Sequence, residues 1–320
     1  MKPIEEIPLS EIEAARRRLQ GVAVRTPLVR LNVEDGAAEV YLKLENLQPI
    51  GSFKLRGAGN AMLLAGQERL SDGVYTASAG NMAQGVAWNA RRLGVPSSAI
   101  VPEQAPQTKL DAMARLGMRA VKVPYDRWWS VITDHHYPGM RGLFVHPVSD
   151  SGVIAGNGTI GLEILEDLPD VDAVVVPYGG GGLSCGIASA IRALKPQVKV
   201  LAAEVETAAP LAASLRAGSP QTINHTPSFV DGIGGKSMLP EMWPLAKLVL
   251  AGSLVVSLRE VADAIKLLVE RNRVVAEGAG AVPVAAALAG KAGTGKVVCV
   301  VSGGNIDSGK LSTILAGEIP

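Results

Sequence analysis

The sequence has few aromatic residues, few histidines and almost no net charge. Aromatic residues make up 4% of the 320 positions, histidine occurs four times, and 31 lysines and arginines nearly balance 30 aspartates and glutamates. The resulting net charge of +1 gives no basic surface for nucleic acid or an anionic membrane, so we expect neither partner. The hydrophobic fraction of 48% is ample for well-buried cores.

Cysteines and long apolar runs are also scarce. Cys185 and Cys299 stand in apolar or glycine-rich surroundings, which favours buried free thiols and a reducing compartment over a disulfide. No stretch approaches the ~18 apolar residues of a membrane span. Residues 1–19 lack the apolar core of a signal peptide and have the pattern of an amphipathic helix. We therefore expect a soluble, cytoplasmic protein.

The chain does contain short apolar runs that alternate with stretches of helical periodicity. This pattern is typical of an α/β protein with a mostly parallel sheet, and the length suits two domains. The segment 124–142 interrupts the pattern, and a loop, a domain boundary or a lid over a site all remain open for it. The predicted strands are Val40–Leu44, Val74–Thr76, Ser98–Val101, Ala120–Val123, Ala173–Val176, Val200–Ala203 and Val297–Val301. The predicted helices are Ile12–Leu19, Ala83–Leu93, Lys109–Leu116, Ile160–Leu165, Leu183–Leu194 and Leu258–Glu270.

A lysine lies between a predicted strand and a helix through Ala61–Leu64, within the segment Glu45–Ala58 (ENLQPIGSFKLRGA). At such a junction, desolvation or a nearby cation can lower the pKa of Lys54. A neutral lysine amine is what Schiff-base chemistry requires. The alternative, which periodicity alone favours, is that Lys54 and Arg56 are ordinary solvated charges.

Two further segments connect a predicted strand to a predicted helix and could bind an anion. Thr76–Gln84 (TASAGNMAQ) would direct backbone N–H groups, a serine hydroxyl and an asparagine amide at an anion, or would simply cap its helix. Ala173–Gly186 (AVVVPYGGGGLSCG) contains four consecutive glycines, whose bare backbone lets several N–H groups converge on a phosphate. The spacing does not match G-x-G-x-x-G, which disfavours a dinucleotide site.

A fourth segment, Val297–Ile306 (VVCVVSGGNI), places a serine after a buried strand. Ligands gather at that edge of an α/β sheet, although a simple strand-ending turn is the alternative. Residues 290–297 and 304–311 begin like P-loops, but valine and leucine stand where a hydroxyl must hold magnesium, which argues against an NTPase. His135 and His136 are neighbours whose side chains diverge, with no acidic or cysteine cluster beside them, so we expect no metal.

Four motifs occur in order along the chain: SFKLRGA, TASAGN, GGGGL and VSGGN. In this combination the sequence resembles the serine/threonine dehydratase group of fold type II pyridoxal-phosphate-dependent enzymes, from Arg25–Leu28 (RTPL) to Ser302–Asn305 (SGGN). The resemblance implies pyridoxal 5'-phosphate between two open, twisted, mostly parallel α/β domains of tryptophan synthase β-like architecture, in a homodimer. The large domain would comprise residues 1–66 and 149–320, and the small domain residues 67–148.

The resemblance also implies roles for individual residues. Lys54 would form the imine with the cofactor and later move the Cα proton of the substrate, while Ser302 would hydrogen-bond the pyridine nitrogen. The other implied cofactor contacts are Phe53, Asn81, Gly179, Gly180, Gly181, Gly182, Leu183 and Glu277. The implied substrate contacts are Ser78, Ala79, Gly80, Asn81 and Met82.

The implied reaction is β-elimination from a β-hydroxy amino acid of the threonine or serine type, or from a bulkier β-substituted serine. The products would be a 2-keto acid and ammonia. A β-replacement like that of cysteine synthases, an amino-acid racemisation and a non-catalytic cofactor-binding protein are the alternatives.

Three positions depart from the pattern of the group. Racemases of the group have a second serine as base where this chain has Ala79, so we expect racemisation to be minor. Met82 replaces the usual histidine and would make the substrate side of the site larger or more apolar. The acid that would pair with Glu204 in a divalent-cation site is replaced by Pro210, so that site should be incomplete.

Overall fold

A computed structural model describes residues 2–34, 36 and 38–320. The strands are β1 (Leu28–Arg30), β2 (Ala38–Leu44), β3 (Val74–Ala77), β4 (Ser97–Pro102), β5 (Arg119–Val123), β6 (Leu143–Phe144), β7 (Ala173–Pro177), β8 (Lys199–Val205), β9 (Gly252–Val256) and β10 (Gly295–Val301). The helices are α1 (Leu9–Arg18), α2 (Lys54–Arg69), α3 (Asn81–Leu93), α4 (Gln107–Arg115), α5 (Tyr125–Asp134), α6 (Ser151–Asp167), α7 (Gly182–Leu194), α8 (Pro210–Ala217), α9 (Trp243–Val249), α10 (Leu258–Leu267), α11 (Gly278–Leu288) and α12 (Ser308–Leu315).

The strands form two sheets. The large sheet has six strands in the order β1-β2-β10-β7-β8-β9, and the small sheet has four in the order β5-β4-β3-β6. Every neighbouring pair is parallel except β1 with β2. The predicted class, α/β with mostly parallel sheets, is therefore confirmed.

Both faces of each sheet are covered, and the alternation of side chains along the strands shows why. In β10, Val298 and Val300 belong to one apolar cluster of the large sheet, and Val297, Cys299 and Val301 to the other. The strands of the small sheet alternate in the same way between two smaller clusters. Strands buried on both faces need helices on both sides, as crossover connections between parallel strands provide.

The segment 124–142, for which a loop, a boundary or a lid remained open, begins instead with helix α5. Val131 and Ile132 are buried on its inner face, and Trp128 and Trp129 pack against the apolar clusters from partly buried positions. The helix ends at His135, whose φ of 55° is left-handed. Trp128 and Trp129 thus lie on the packed side of an amphipathic helix.

Strands β1, β6 and β9 were not predicted from the sequence. Each lies at the edge of its sheet, and β1 and β6 have three and two residues. Short, half-buried edge strands carry a weak periodicity, so they are hard to separate from loops.

Cys185 and Cys299 are buried and unpaired, as predicted. In the part of the chain that the structure describes, no helix has the length and apolar character needed to cross a membrane.

Candidate active site

The carboxyl edge of the large sheet brings the lysine segment beside the VSGGN segment. The backbone N–H of Phe53 donates to the carbonyl of Ser302 at 3.0 Å, and that of Gly304 donates to Gly51 at 2.9 Å. Ser302 directly follows β10, which pairs with β2 along its whole length. These bonds place Lys54, the residue after Phe53, close to the end of β10.

Lys54 is the first residue of α2 and is half-buried. Its Nζ donates to the carbonyl of Pro147 at 2.8 Å and lies 5.1 Å from the centroid of the Phe53 ring. Desolvation lowers the pKa of Lys54 to about 8, although the Glu277 carboxylate acts in the opposite direction. At neutral pH a much larger share of this amine than of an ordinary lysine is therefore neutral, the form that attacks a carbonyl.

The glycine run forms the turn between β7 and α7. Gly181, the residue before the helix, has a φ of 99°, a conformation that favours glycine. A Cβ atom at Gly180 would lie 2.5 Å from Val148 Cγ2, and one at Gly182 would lie 2.9 Å from the Val148 carbonyl oxygen. Because Gly181 brings no side chain to cap α7, the first N–H groups of the helix can bind an anion.

The TASAGN loop joins β3 to α3. The N–H of Gly80 donates to the Ser78 hydroxyl oxygen at 3.1 Å. Asn81 Nδ2 donates to Glu277 Oε1 at 2.8 Å, and Asn81 Oδ1 accepts from Asn305 Nδ2 at 2.8 Å. The loop of the small sheet is thus bonded to the start of α11 and to the VSGGN segment of the large sheet.

Glu277 directly precedes α11 and is half-buried. Desolvation raises its pKa to about 7, while the hydrogen bond from Asn81 acts in the opposite direction. Two further charges also act on it: Asp231 raises the pKa and Lys109 lowers it. The carboxyl group therefore changes its protonation state around neutral pH.

Met82 and Leu183 have buried side chains. Met82 is 2% exposed in the apolar cluster between α3 and the small sheet, and Leu183 is 6% exposed in the large-sheet cluster. Leu183 can therefore bind an anion through its backbone N–H group. For Met82, packing within that cluster explains the side chain without reference to a substrate.

Two segments that sequence reasoning did not assign lie against this site. Residues 146–149 contact both Lys54 and the glycine run through Pro147 and Val148. In the single turn of residues 231–233, the Cα atom of Ile233 lies 3.3 Å from the position of a Cβ on Gly179. The Asp-Gly pair in the second segment is typical of turns and gave no indication of a site.

Arg56 is buried, so the interpretation of this residue as a solvated charge is wrong. It is 2% exposed, and its guanidinium donates to both oxygens of Glu45 at 2.8 Å. It also donates to the two oxygens of Glu163 at 2.7 and 3.0 Å. Two residues after Lys54, Arg56 thus fixes the first turn of α2 to the end of β2 and to α6.

Two of the side chains considered for metal binding, His135 and Glu204, have protein partners. His135 stacks on His146 with ring centroids 4.2 Å apart. The buried Glu204 carboxylate accepts the backbone N–H groups of Leu211 at 2.9 Å and Ala212 at 2.8 Å. Among the residues that the structure describes, no group of three or more potential ligands could hold a metal ion.

A lysine of lowered pKa, a glycine turn at a helix N-terminus and a hydroxyl at a neighbouring strand end together define a class of protein. It is an α/β protein that can bind a phosphorylated aldehyde. The lysine amine would form an imine with the aldehyde, and the N-terminus of the helix would bind the phosphate.

Comparison with known proteins agrees with that class. The family model "Pyridoxal-phosphate dependent enzyme" matches residues 19–303. L-threonine ammonia-lyase of Thermotoga maritima is 42% identical over 97% of this chain and 78% of the relative. L-threonine dehydratase catabolic TdcB of Escherichia coli K12 is 36% identical over 96% of each chain. The structure of maize serine racemase matches with a TM-score of 0.89 and 30% identity over 98% of both chains. The processed threonine deaminase isoform 2 of Solanum lycopersicum matches with a TM-score of 0.87 and 33% identity, covering 97% of this chain and 87% of that one.

The chain belongs to the family of pyridoxal-phosphate dependent enzymes. The residues present fit that cofactor. Because no side chain caps α7, its first N–H groups are free to bind the phosphate of the cofactor. The lowered pKa of Lys54 suits imine formation.

The pH dependence of cofactor attachment tests this assignment of Lys54. We expect the rate of imine formation between the apoprotein and pyridoxal phosphate to rise with pH and to level off above the lysine pKa of about 8. An ordinary lysine would give a rate that still rises towards pH ~10. Stopped-flow absorbance across this range measures the profile.

The matched variant is Glu277→Gln. The Glu277 carboxylate raises the pKa of Lys54, so its removal should move the plateau to lower pH. A rate that climbs to pH ~10 in the unmodified protein would show that the Lys54 amine is not desolvated.

Proposed function

We propose that the chain dehydrates and deaminates β-hydroxy amino acids of the threonine and serine type, releasing a 2-keto acid and ammonia. The observation that carries this proposal is Lys54, an amine with a pKa of about 8 at the same sheet edge as the glycine turn and Ser302. The threonine ammonia-lyase and threonine dehydratase relatives, 42% and 36% identical over nearly the whole chain, support the substrate class.

Pyridoxal phosphate, when bound, supplies the electron sink that stabilises negative charge at the substrate Cα. Neutral Lys54 removes the Cα proton at its Nζ atom. The carbonyl of Pro147, which accepts a hydrogen bond from Nζ at 2.8 Å, orients the amine. The β-hydroxyl then departs together with a proton as water and leaves an enamine, which water converts into the keto acid and ammonia.

Ser302 would offer a neutral hydroxyl to the pyridine nitrogen of the cofactor. A hydroxyl, unlike a carboxylate, does not require that nitrogen to be protonated. This favours prompt loss of the β-substituent over a long-lived negative charge at Cα, which suits elimination better than racemisation.

The substrate carboxylate would be held by the loop of Ser78, Gly80 and Asn81 at the start of α3. We assign this loop to a small domain of residues 67–148 and the rest of the chain to a large domain of residues 1–66 and 149–320. All four strands of the small sheet lie between residues 74 and 144, which supports this division. Closure of one domain on the other would exclude water from the reaction.

A panel of β-hydroxy amino acids tests the proposal. The holoenzyme is incubated with L-serine, L-threonine, its β-epimer L-allothreonine, a β-hydroxyaspartate and a β-aryl serine, and keto acid and ammonia are measured. Release of stoichiometric keto acid and ammonia from at least one substrate is expected. Cysteine formed from O-acetylserine and sulfide, without keto acid from the panel, would indicate β-replacement instead.

Racemisation is expected to be a minor reaction because Ala79 has no hydroxyl to act as a second base. Replacing Ala79 with serine should raise the ratio of D-serine to pyruvate formed from L-serine by roughly 10²-fold or more, the lower end of what a positioned acid–base group contributes. Chiral chromatography of the products measures the ratio. Ala79→Gly is the control, which changes the backbone without adding a hydroxyl and should leave the ratio low. D-Serine formed by the unmodified enzyme as fast as pyruvate would contradict this prediction.

We also infer a homodimer in the cytoplasm. The resemblance to the dehydratase group supports the homodimer, which light scattering during size-exclusion chromatography tests. The two buried, unpaired cysteines favour a reducing compartment.

A further inference from the structure

An ion pair joins the two sheet units beside the site. Lys109 lies in α4, which packs on the small sheet, and Asp231 begins the turn of residues 231–233 between α8 and α9. Their Nζ and Oδ2 atoms are 2.9 Å apart, and the side chains are 36% and 51% exposed. The two residues are 122 positions apart in sequence, so the pair is a tertiary contact between units and not a local one.

On the large-sheet side, the turn that carries Asp231 forms part of the site wall. A Cβ atom on the next residue, Gly232, would lie 3.5 Å from Glu277 Oε1. Ile233 follows, against Gly179 of the glycine turn. A displacement of Asp231 would therefore reach both the Glu277 carboxyl group and the phosphate-binding turn.

On the small-sheet side, α4 is packed tightly against α3. Leu110 and Met113 of α4 share one apolar cluster with Met82 and Val86 of α3. The two helices therefore form one packed unit, and α3 begins at Asn81. That unit contacts the large-sheet side through Asn81 and again through Lys109.

A second contact lies nearby. The Nζ atom of Lys236, five residues after Asp231, lies 5.8 Å from the centroid of the Tyr125 ring at the start of α5. The segment from Asp231 to Lys236 thus meets two different helices of the small-sheet unit, both times with a charged side chain.

We propose that the Lys109–Asp231 ion pair holds α3 and α4 closed against the site wall and thereby positions Asn81 beside Glu277. Lys109 and Asp231 are positioning residues for the proposed reaction, and the inference depends on the proposed function only for its catalytic consequence. Both residues lie near enough to Glu277 to act on its pKa, which Asp231 raises and Lys109 lowers.

Hydrogen exchange of the cofactor-loaded protein tests the closure without reference to turnover. In Lys109→Gln and Asp231→Asn, amides of residues 78–84 and 229–235 should exchange about two- to fivefold faster, the scale of an exposed ion pair. Salt of ~1 M should speed this exchange in the unmodified protein but not in the variants, because salt screens exposed pairs. The charge-exchanged double variant K109D/D231K should slow the exchange again.

The matched control is Lys296→Gln. Lys296 forms an ion pair with Asp170 at 2.5 Å and comparable exposure, 32% and 66%, but lies at the start of β10, the opposite edge of the large sheet. Its loss should leave exchange at residues 78–84 and 229–235 unchanged. In the variants of the Lys109–Asp231 pair, KM for the amino acid should rise more than kcat falls.

Unchanged exchange in both single variants, or a double variant that exchanges as fast as they do, would overturn the inference. Faster exchange in a protein that releases no keto acid from any β-hydroxy amino acid would instead support the ion pair and refute the proposed function.

Discussion

Replacing Lys54 with alanine is expected to abolish keto-acid formation, and with it the covalent cofactor link that borohydride reduction traps. The substitution removes both the amine that forms the imine and the base that takes the Cα proton. A positioned base alone contributes about 10²–10⁴-fold, so turnover should fall by roughly 10³-fold or more. The side chain is half-buried and makes one hydrogen bond, to Pro147, so the variant should still fold. Mass spectrometry after borohydride treatment and a keto-acid assay measure the two effects.

Two control variants separate the amine from its charge. Lys54→Arg keeps a cation but has no accessible neutral form, so it should be as inactive as Lys54→Ala. Lys122→Ala makes the same change at an exposed position on β5 and should leave activity and labelling intact. A Lys54→Ala protein that turns over substrate with the cofactor linked to another lysine would refute the role assigned to Lys54.

The segments of the candidate site could be predicted from the sequence because each is local. A lysine between strand and helix, four glycines before a helix and a serine after a strand are visible within about ten residues each. Their convergence also follows from the pattern, since the carboxyl ends of parallel strands meet at one edge of a sheet. The bonds between Phe53 and Ser302 and between Gly51 and Gly304 are the contacts that this topology produces.

The long-range pairings could not be predicted in this way. Nothing near Arg56 in the sequence indicates its contact with Glu163, which is 107 residues away. No local pattern around Lys109 or Asp231 predicts their ion pair either. The sequence also predicted too short a length for helices that are buried on all sides. In α6, residues 152–165 are all buried, so its apolar residues show no single face, and the predicted helix Ile160–Leu165 is a fraction of it.

Replacing Arg56 with methionine is expected to cost about 3–5 kcal/mol of unfolding free energy, because it leaves a buried carboxylate without its partner. Glu163 would still pair with Lys43, whose Nζ lies 2.6 Å from Glu163 Oε2. Glu45 would keep the hydroxyl of Thr26 at 2.6 Å but would lose the guanidinium that now binds both of its oxygens. Urea unfolding followed by circular dichroism measures the loss.

The pH dependence and a double variant identify Glu45 as the cause. Burial by itself raises the pKa of Glu45, but Arg56 outweighs it and keeps the pKa below its ordinary value. Without Arg56 burial raises the pKa, so the deficit relative to the unmodified protein should shrink from about pH 7 to about pH 5 as the carboxyl takes up a proton. Glu45→Gln removes the same charge permanently, so the double variant E45Q/R56M should be more stable than R56M alone. If E45Q instead adds its full cost to that of R56M, the two residues are not energetically coupled, and Glu45 is not the cause of the loss in R56M.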